Sequence, residues 1–217
     1  MAIANKEKIK KVLPHIAFTA FYTAFLIIYL KVEYENNRFI RIADVNSNNL
    51  TTVLKVNFIS SILILIVILM INRYRKKTIS NLGICIKNPL IIAALSAVYI
   101  GLFIIKGDFS IVGFYVAFYY LIIIAFSEEL IFRGYLFGII NEAFGDVVSV
   151  VLSGIIFGAM HTTIPIVVDG MNPLIAVSSQ IGGGIIGTAL FVFIYKKSGT
   201  LLIPILVHAI FNYLRFN

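Results

Sequence analysis

Long apolar runs separated by short polar loops set the pattern of this chain, and each run is close to the length that crosses a bilayer as a helix. The first run, Val12–Leu30, follows Lys6, Lys8, Lys10 and Lys11. It is long for the core of a signal peptide, and Leu30-Lys31-Val32-Glu33 offers no small-residue cleavage site, so it reads as a retained span. A polar loop from Lys31 to about Thr52 leads to a second run, Val53–Ile71, closed by the basic stretch Asn72-Arg73-Tyr74-Arg75-Lys76-Lys77. The third run is Pro89–Ile105, ended by Lys106-Gly107-Asp108, and the fourth extends from about Ile111 to Ile140. A fifth begins near Val147 and passes His161; the sixth is Leu174–Tyr195 and the seventh Leu201 to about Phe216. The pattern predicts an all-α, polytopic membrane helix bundle of about seven transmembrane helices, within a range of six to eight.

Composition narrows this further. The chain is 60% hydrophobic and 13% charged, with a mean hydropathy of +0.98, where soluble domains carry about 25% charged residues. Its 217 residues hold those spans and little else, which predicts one membrane domain without a soluble appendage. The net charge of +8 sits in short loops beside apolar runs, a pattern that sets topology and argues against nucleic acid as a partner. The basic residues at Arg73–Lys77 and Lys196-Lys197, and their absence from Asp169–Pro173, agree with an N-terminus inside. Lys31, Arg38 and Arg41 in the first loop dissent mildly. The single cysteine, Cys85, excludes an internal disulfide and a cysteine-rich metal site.

The fourth run contains Phe126-Ser127-Glu128-Glu129-Leu130-Ile131-Phe132-Arg133-Gly134. Charges inside a span cost about 2.5–3.5 kcal/mol each on insertion scales and mark functional candidates. Glu129 and Arg133 are four apart with the acid first, the favourable order for an ion pair on one helix face. Glu128 lies about a quarter turn round, which leaves it for chemistry. The competing reading places all three charges at a membrane interface, solvating a helix end.

Two later spans carry polar pairs at helical spacing, Phe157 with His161 and His208 with Asn212. Taken singly, such residues also serve as bonds between helices. Depth joins them. Glu128 and His161 are nearly equidistant in sequence from the turn at Phe144–Gly145, about 20 Å along an antiparallel hairpin, and His208 reaches about 13 Å after Lys197-Ser198-Gly199. Gly154/Gly158, Gly183/Gly187 and Gly134/Gly138 have the small-x-x-x-small spacing of close helix contacts. Pro165, four residues after His161, would remove the helical bond to the His161 carbonyl and favour a water site there; a plain helix end at Thr162-Thr163 accounts for it equally well.

Glu-Glu-x-x-x-Arg-Gly, then Phe-x-x-x-His, then Ser198-Gly199 leading to His-x-x-x-Asn, resembles the CPBP family: the CAAX proteases and bacteriocin-processing enzymes, also called the Abi family. The resemblance covers roughly residues 111 to 214, so residues 1–110 form a non-diagnostic three-span region and 111–217 the catalytic helical core. It implies a membrane endopeptidase in which Glu128, with His161, activates a water for attack on a peptide carbonyl. Glu129 and Arg133 complete the motif, and His208 and Asn212 donate to the oxyanion. A zinc version, with Glu128, His161 and His208 as ligands, stays open beside it. The implied partners are a peptide or protein substrate and the lipid bilayer. The Lys/Ile/Asn-rich composition points to a bacterial cytoplasmic membrane, where relatives mature bacteriocin or pheromone peptides. The alternatives are a bacteriocin self-immunity or scaffold protein that binds without proteolysis, and a transporter or proton relay, against which the absence of an evident internal repeat counts.

Overall fold

The computed structural model describes residues 2–215, and side chains from Lys6 onward. Every regular element among the described residues is helical. Six helices are long and apolar enough to cross a membrane, and a shorter apolar helix follows them. The fifth of the six, Asp146–Val167, is broken at Thr162 and carries two labels; the helices are α1 (Ala2–Glu35), α2 (Leu50–Tyr74), α3 (Pro89–Lys106), α4 (Ile111–Phe144), α5 (Asp146–His161), α6 (Thr163–Val167), α7 (Pro173–Ser198) and α8 (Leu202–Arg215). The all-α membrane bundle expected from the hydrophobic pattern is what the chain forms. The expected end of the seventh run at Phe216 lies outside the described residues.

Two departures from the periodicity matter for the site. Helix α4 is not uniformly α: Tyr119–Phe126 and Leu130–Phe137 wind with wider, π-type turns on either side of three α-helical residues, Ser127–Glu129. Ser127 Oγ donates to the carbonyl of Ile122, five residues back, a bond that matches the wider winding. π-type turns gather at functional positions, and they shift which residues share a face relative to an α-helix. The fifth run ends as a helix at His161. Thr162 and Thr163 turn their hydroxyls onto the carbonyls of Ala159 and Met160 (2.7 Å each), which satisfies the exposed end before α6 begins.

The chain forms two compact units that do not follow chain order. One comprises the start of the chain to Val32 together with Ile131–Phe193; the other comprises Glu33–Leu130 and the chain from Ile194 onward.

In the first unit, the end of α4 turns back into α5 through Gly145, whose φ of 77° and ψ of −179° only glycine adopts readily. Helices α5 and α7 then approach to backbone contact. A Cβ on Gly158 would lie 2.6 Å from the Gln180 carbonyl oxygen, and one on Gly184 would lie 2.5 Å from the Gly154 carbonyl oxygen. Gly154 and Gly158 are the expected small face, but their partner is Gly184 with Gln180 and Ile185; Gly183 and Gly187 face open space. On α1, His15 pairs with Tyr135 of α4 (Nδ1 to hydroxyl, 2.7 Å), and Phe18 packs edge-on against the same ring.

In the second unit, α8 packs on α3 and on the first π-wound stretch of α4. Tyrosines hold this contact. Tyr99 donates its hydroxyl to the Ala117 carbonyl (2.6 Å), its ring lies 5.4 Å from that of Tyr213, and Tyr213 meets Tyr120 edge-on. Asn57 on α2 donates to the Tyr115 hydroxyl (2.5 Å). Tyr99 and Tyr115 thus have an apolar body packed and a polar tip bonded, as such rings favour.

Candidate active site

The motif residues fall into two groups, one in each unit, and α4 contributes to both.

In the second unit, the adjacent acids of α4 and a histidine of α8 come together. His208 Nδ1 lies 2.9 Å from Glu129 Oε1, and its Nε2 lies 3.8 Å from Glu128 Oε2. Glu129 is fully buried, His208 is buried and Glu128 is half-buried. An ionised carboxylate only accepts, so the short contact makes Nδ1 the protonated nitrogen, donating to Glu129. That bond fixes the ring and aims Nε2 toward Glu128. Asn212, half-buried, follows His208 by one turn on the same helix. The contact of Glu129 with His208, on another helix, could not be read from spacing along α4.

In the first unit, Arg133 is fully buried with its guanidinium 4.2 Å from the centre of the Phe157 ring and 5.2 Å from that of Phe191. A desolvated cation over an aromatic face is worth about 2 kcal/mol or more. The same Phe157 ring packs against Phe132 (4.9 Å) and against the ring of His161 (4.4 Å). His161 Nδ1 donates to the Phe157 carbonyl at 2.9 Å. The Phe-x-x-x-His spacing therefore has a physical reason: one phenylalanine carries the arginine on its face and orients the histidine through its ring and its carbonyl. His161 is exposed at the helix end, with its Nε2 as the unprotonated nitrogen of the neutral ring.

The two histidines share one arrangement. Each donates Nδ1–H to an oxygen. Among the described residues, no group of three or more His, Cys, Asp or Glu side chains stands placed to hold a metal ion. Sequence reasoning passed over His15, although a histidine within a span is itself a signal.

Against this geometry, a family model described as type II CAAX prenyl endopeptidase Rce1-like matches residues 110–214. The match covers just under half of the chain, and Glu128, Glu129, Arg133, His161, His208 and Asn212 all fall within it. Together with six helices long and apolar enough to cross a membrane, it makes the chain similar to the CAAX-type membrane endopeptidases. Comparison with curated proteins and with solved structures finds no match.

Proposed function

We propose that the chain hydrolyses a peptide bond in a small membrane-associated peptide of the bacteriocin or pheromone leader type, with Glu128 as general base and without a metal. The observation that carries this reading is the His208 ring, tied to Glu129 through Nδ1 and turned toward Glu128 through Nε2. Glu128 takes a proton from water as the water oxygen bonds to the peptide carbonyl carbon. The carbonyl oxygen gains negative charge and accepts from Nε2–H of the charged His208 ring and from the Asn212 amide. The C–N bond then breaks, and the proton held by Glu128 passes to the leaving nitrogen. Donors fixed in advance are the largest single contribution to such a step. A carboxylate in a dry, partly buried setting suits the base, and two acids differing in burial suit two roles. Support for a role of His161 comes from the motif, and for an inside N-terminus from the basic loops.

The test is cleavage of candidate leader peptides by purified protein. Glu128→Gln abolishes turnover and leaves the melting temperature near wild type. His208→Gln retains turnover reduced about 100- to 1,000-fold, since its amide still donates. Active protein holds well under one zinc per chain and survives chelation. Near-wild-type turnover in Glu128→Gln refutes the base, and an immunity phenotype that survives the same change favours binding without proteolysis.

A further inference from the structure

Two loops of the second unit meet at one level and are bonded into a single layer. The Leu201 amide donates to the Gly83 carbonyl (2.8 Å), the Asn88 side chain to the Ser198 carbonyl (2.8 Å), and the Thr200 hydroxyl to the Cys85 carbonyl (2.5 Å). The Tyr195 ring lies against Gly83, which sits at φ 84° with no room for a Cβ. Thr78 and Asn81 cap each other at the start of the short helical turn Ile79–Leu82. This layer carries Arg73, Arg75, Lys76, Lys77, Lys87, Lys196 and Lys197, and the sequence has no Asp or Glu from 45 to 107 or from 170 to 217. The Lys87 stem lies across the turn at Gly199, beside the end of α7 that holds Lys196 and Lys197. Among the cations stand some of the most exposed apolar side chains of the chain: Tyr74 (89%), Leu90 (84%) and Ile86 (80%).

Topology alone asks only for positive charge on one side of the membrane, not for a hydrogen-bonded layer that fixes where the charge stands. We propose that this layer is a docking surface for the headgroups of anionic phospholipids. Lys87, Lys196 and Lys197 take the phosphate oxygens, while Tyr74, Ile86 and Leu90 reach between the acyl chains. The apolar tips and the position at the ends of α2, α3 and α7 select a lipid over a soluble acidic peptide. This inference does not depend on which peptide is cleaved.

The full chain is reconstituted in phosphatidylcholine nanodiscs with spin-labelled phosphatidylglycerol or phosphatidylcholine as probe, and the motionally restricted fraction is read by EPR. The expected result is a preference for phosphatidylglycerol of about fivefold at low salt, the effect of one basic residue near an anionic headgroup. It declines as salt rises. The triple variant Lys87→Gln/Lys196→Gln/Lys197→Gln brings the preference to within about twofold of none, with an unchanged helical CD spectrum. Lys6→Gln/Lys8→Gln/Lys10→Gln, which removes equal charge elsewhere, leaves it intact. Absence of preference in the wild type, or its survival in the first triple variant, overturns the proposal. So does an equal loss in both variants. Displacement of the lipid by a soluble acidic peptide assigns the face to a peptide instead.

Discussion

The two units orient a histidine by opposite means. In the first, His161 is fixed by its own helix, through a carbonyl and a ring four residues back that belong to one residue, Phe157. In the second, His208 is fixed by a carboxylate from another helix, Glu129 of α4, seventy-nine positions away in sequence. A local device depends on a side chain that also fills the core; a long-range device depends on one polar atom. The first should therefore fail through packing and the second through the loss of a single bond.

The largest effect expected is that of Phe157→Ala. Removing a buried phenylalanine costs about 3–5 kcal/mol, and here it also takes away the face on which the buried Arg133 rests. A low folded yield in detergent and a large fall in melting temperature should follow. Phe157→Leu should recover much of the stability, because volume returns, but less of the activity, because neither the cation nor the His161 ring regains an aromatic partner. Equal recovery of both would mean that the ring acts by volume alone.

Glu129→Ala comes next. It leaves the Nδ1–H of a buried histidine without its acceptor, a loss of about 1–3 kcal/mol, and releases the ring that faces Glu128. Glu129→Gln separates the two consequences. Its amide oxygen still accepts from Nδ1, so stability should return toward wild type, while the negative charge beside the ring is gone. Turnover should then recover less than stability does. Full recovery of both in Glu129→Gln would show that Glu129 only positions the ring.

The same contrast shows what could be read from the sequence. The spans are local patterns, and the helices form where the hydrophobic runs predicted them. The contact glycines were half legible. Gly154 and Gly158 were right, yet the partner on α7 is Gly184 and not Gly183 or Gly187, because in a run of three glycines only packing against a neighbour selects the phase. The π-type turns around Ser127–Glu129 carry no sequence mark of their own, so four-residue spacing implied an α-helical face that α4 does not keep. The Glu129–His208 bond, the His15–Tyr135 pair and the grouping into two units arise from contacts between distant segments, which no local window contains.

Helix contacts provide a smaller test of the comparison. Gly158→Ala or Gly184→Ala forces α5 and α7 apart by backbone clash and should cost about 1–3 kcal/mol, as overpacking does. Gly138→Ala, where a Cβ meets nothing within 4 Å, should be neutral or stabilise by about 0.5–1 kcal/mol through helix propensity. In the second unit, where tyrosine tips replace glycine faces, Tyr99→Phe removes only the bond to the Ala117 carbonyl, worth about 0.5–1.5 kcal/mol. Thermal melts of the four variants rank the two modes of packing. A Gly184→Ala variant as stable as Gly138→Ala would remove the basis for calling the α5–α7 contact tight.

The smallest effect expected is a pH dependence at the start of α4, outside the spans. The Ser110 hydroxyl and the Ser110 backbone N–H together hold the Asp108 carboxyl below the usual carboxylate range; the N–H reaches Asp108 Oδ1 at 3.0 Å. Ser110 in turn caps α4 by accepting from the Gly113 amide at 3.2 Å. Because the folded value is depressed, the carboxylate contributes stability that is fully present above its unfolded value and is lost as pH falls through the folded one. The loss therefore lies below about pH 4. The group is exposed, so the change should appear as fraying of the first turn of α4 and not as global unfolding. Amide exchange at Gly113 and Phe114 should quicken between pH 5 and pH 3 beyond the intrinsic trend, and Asp108→Asn should abolish that excess while leaving the Ser110 cap. An excess that persists in Asp108→Asn would show that the Asp108 carboxylate is not its source.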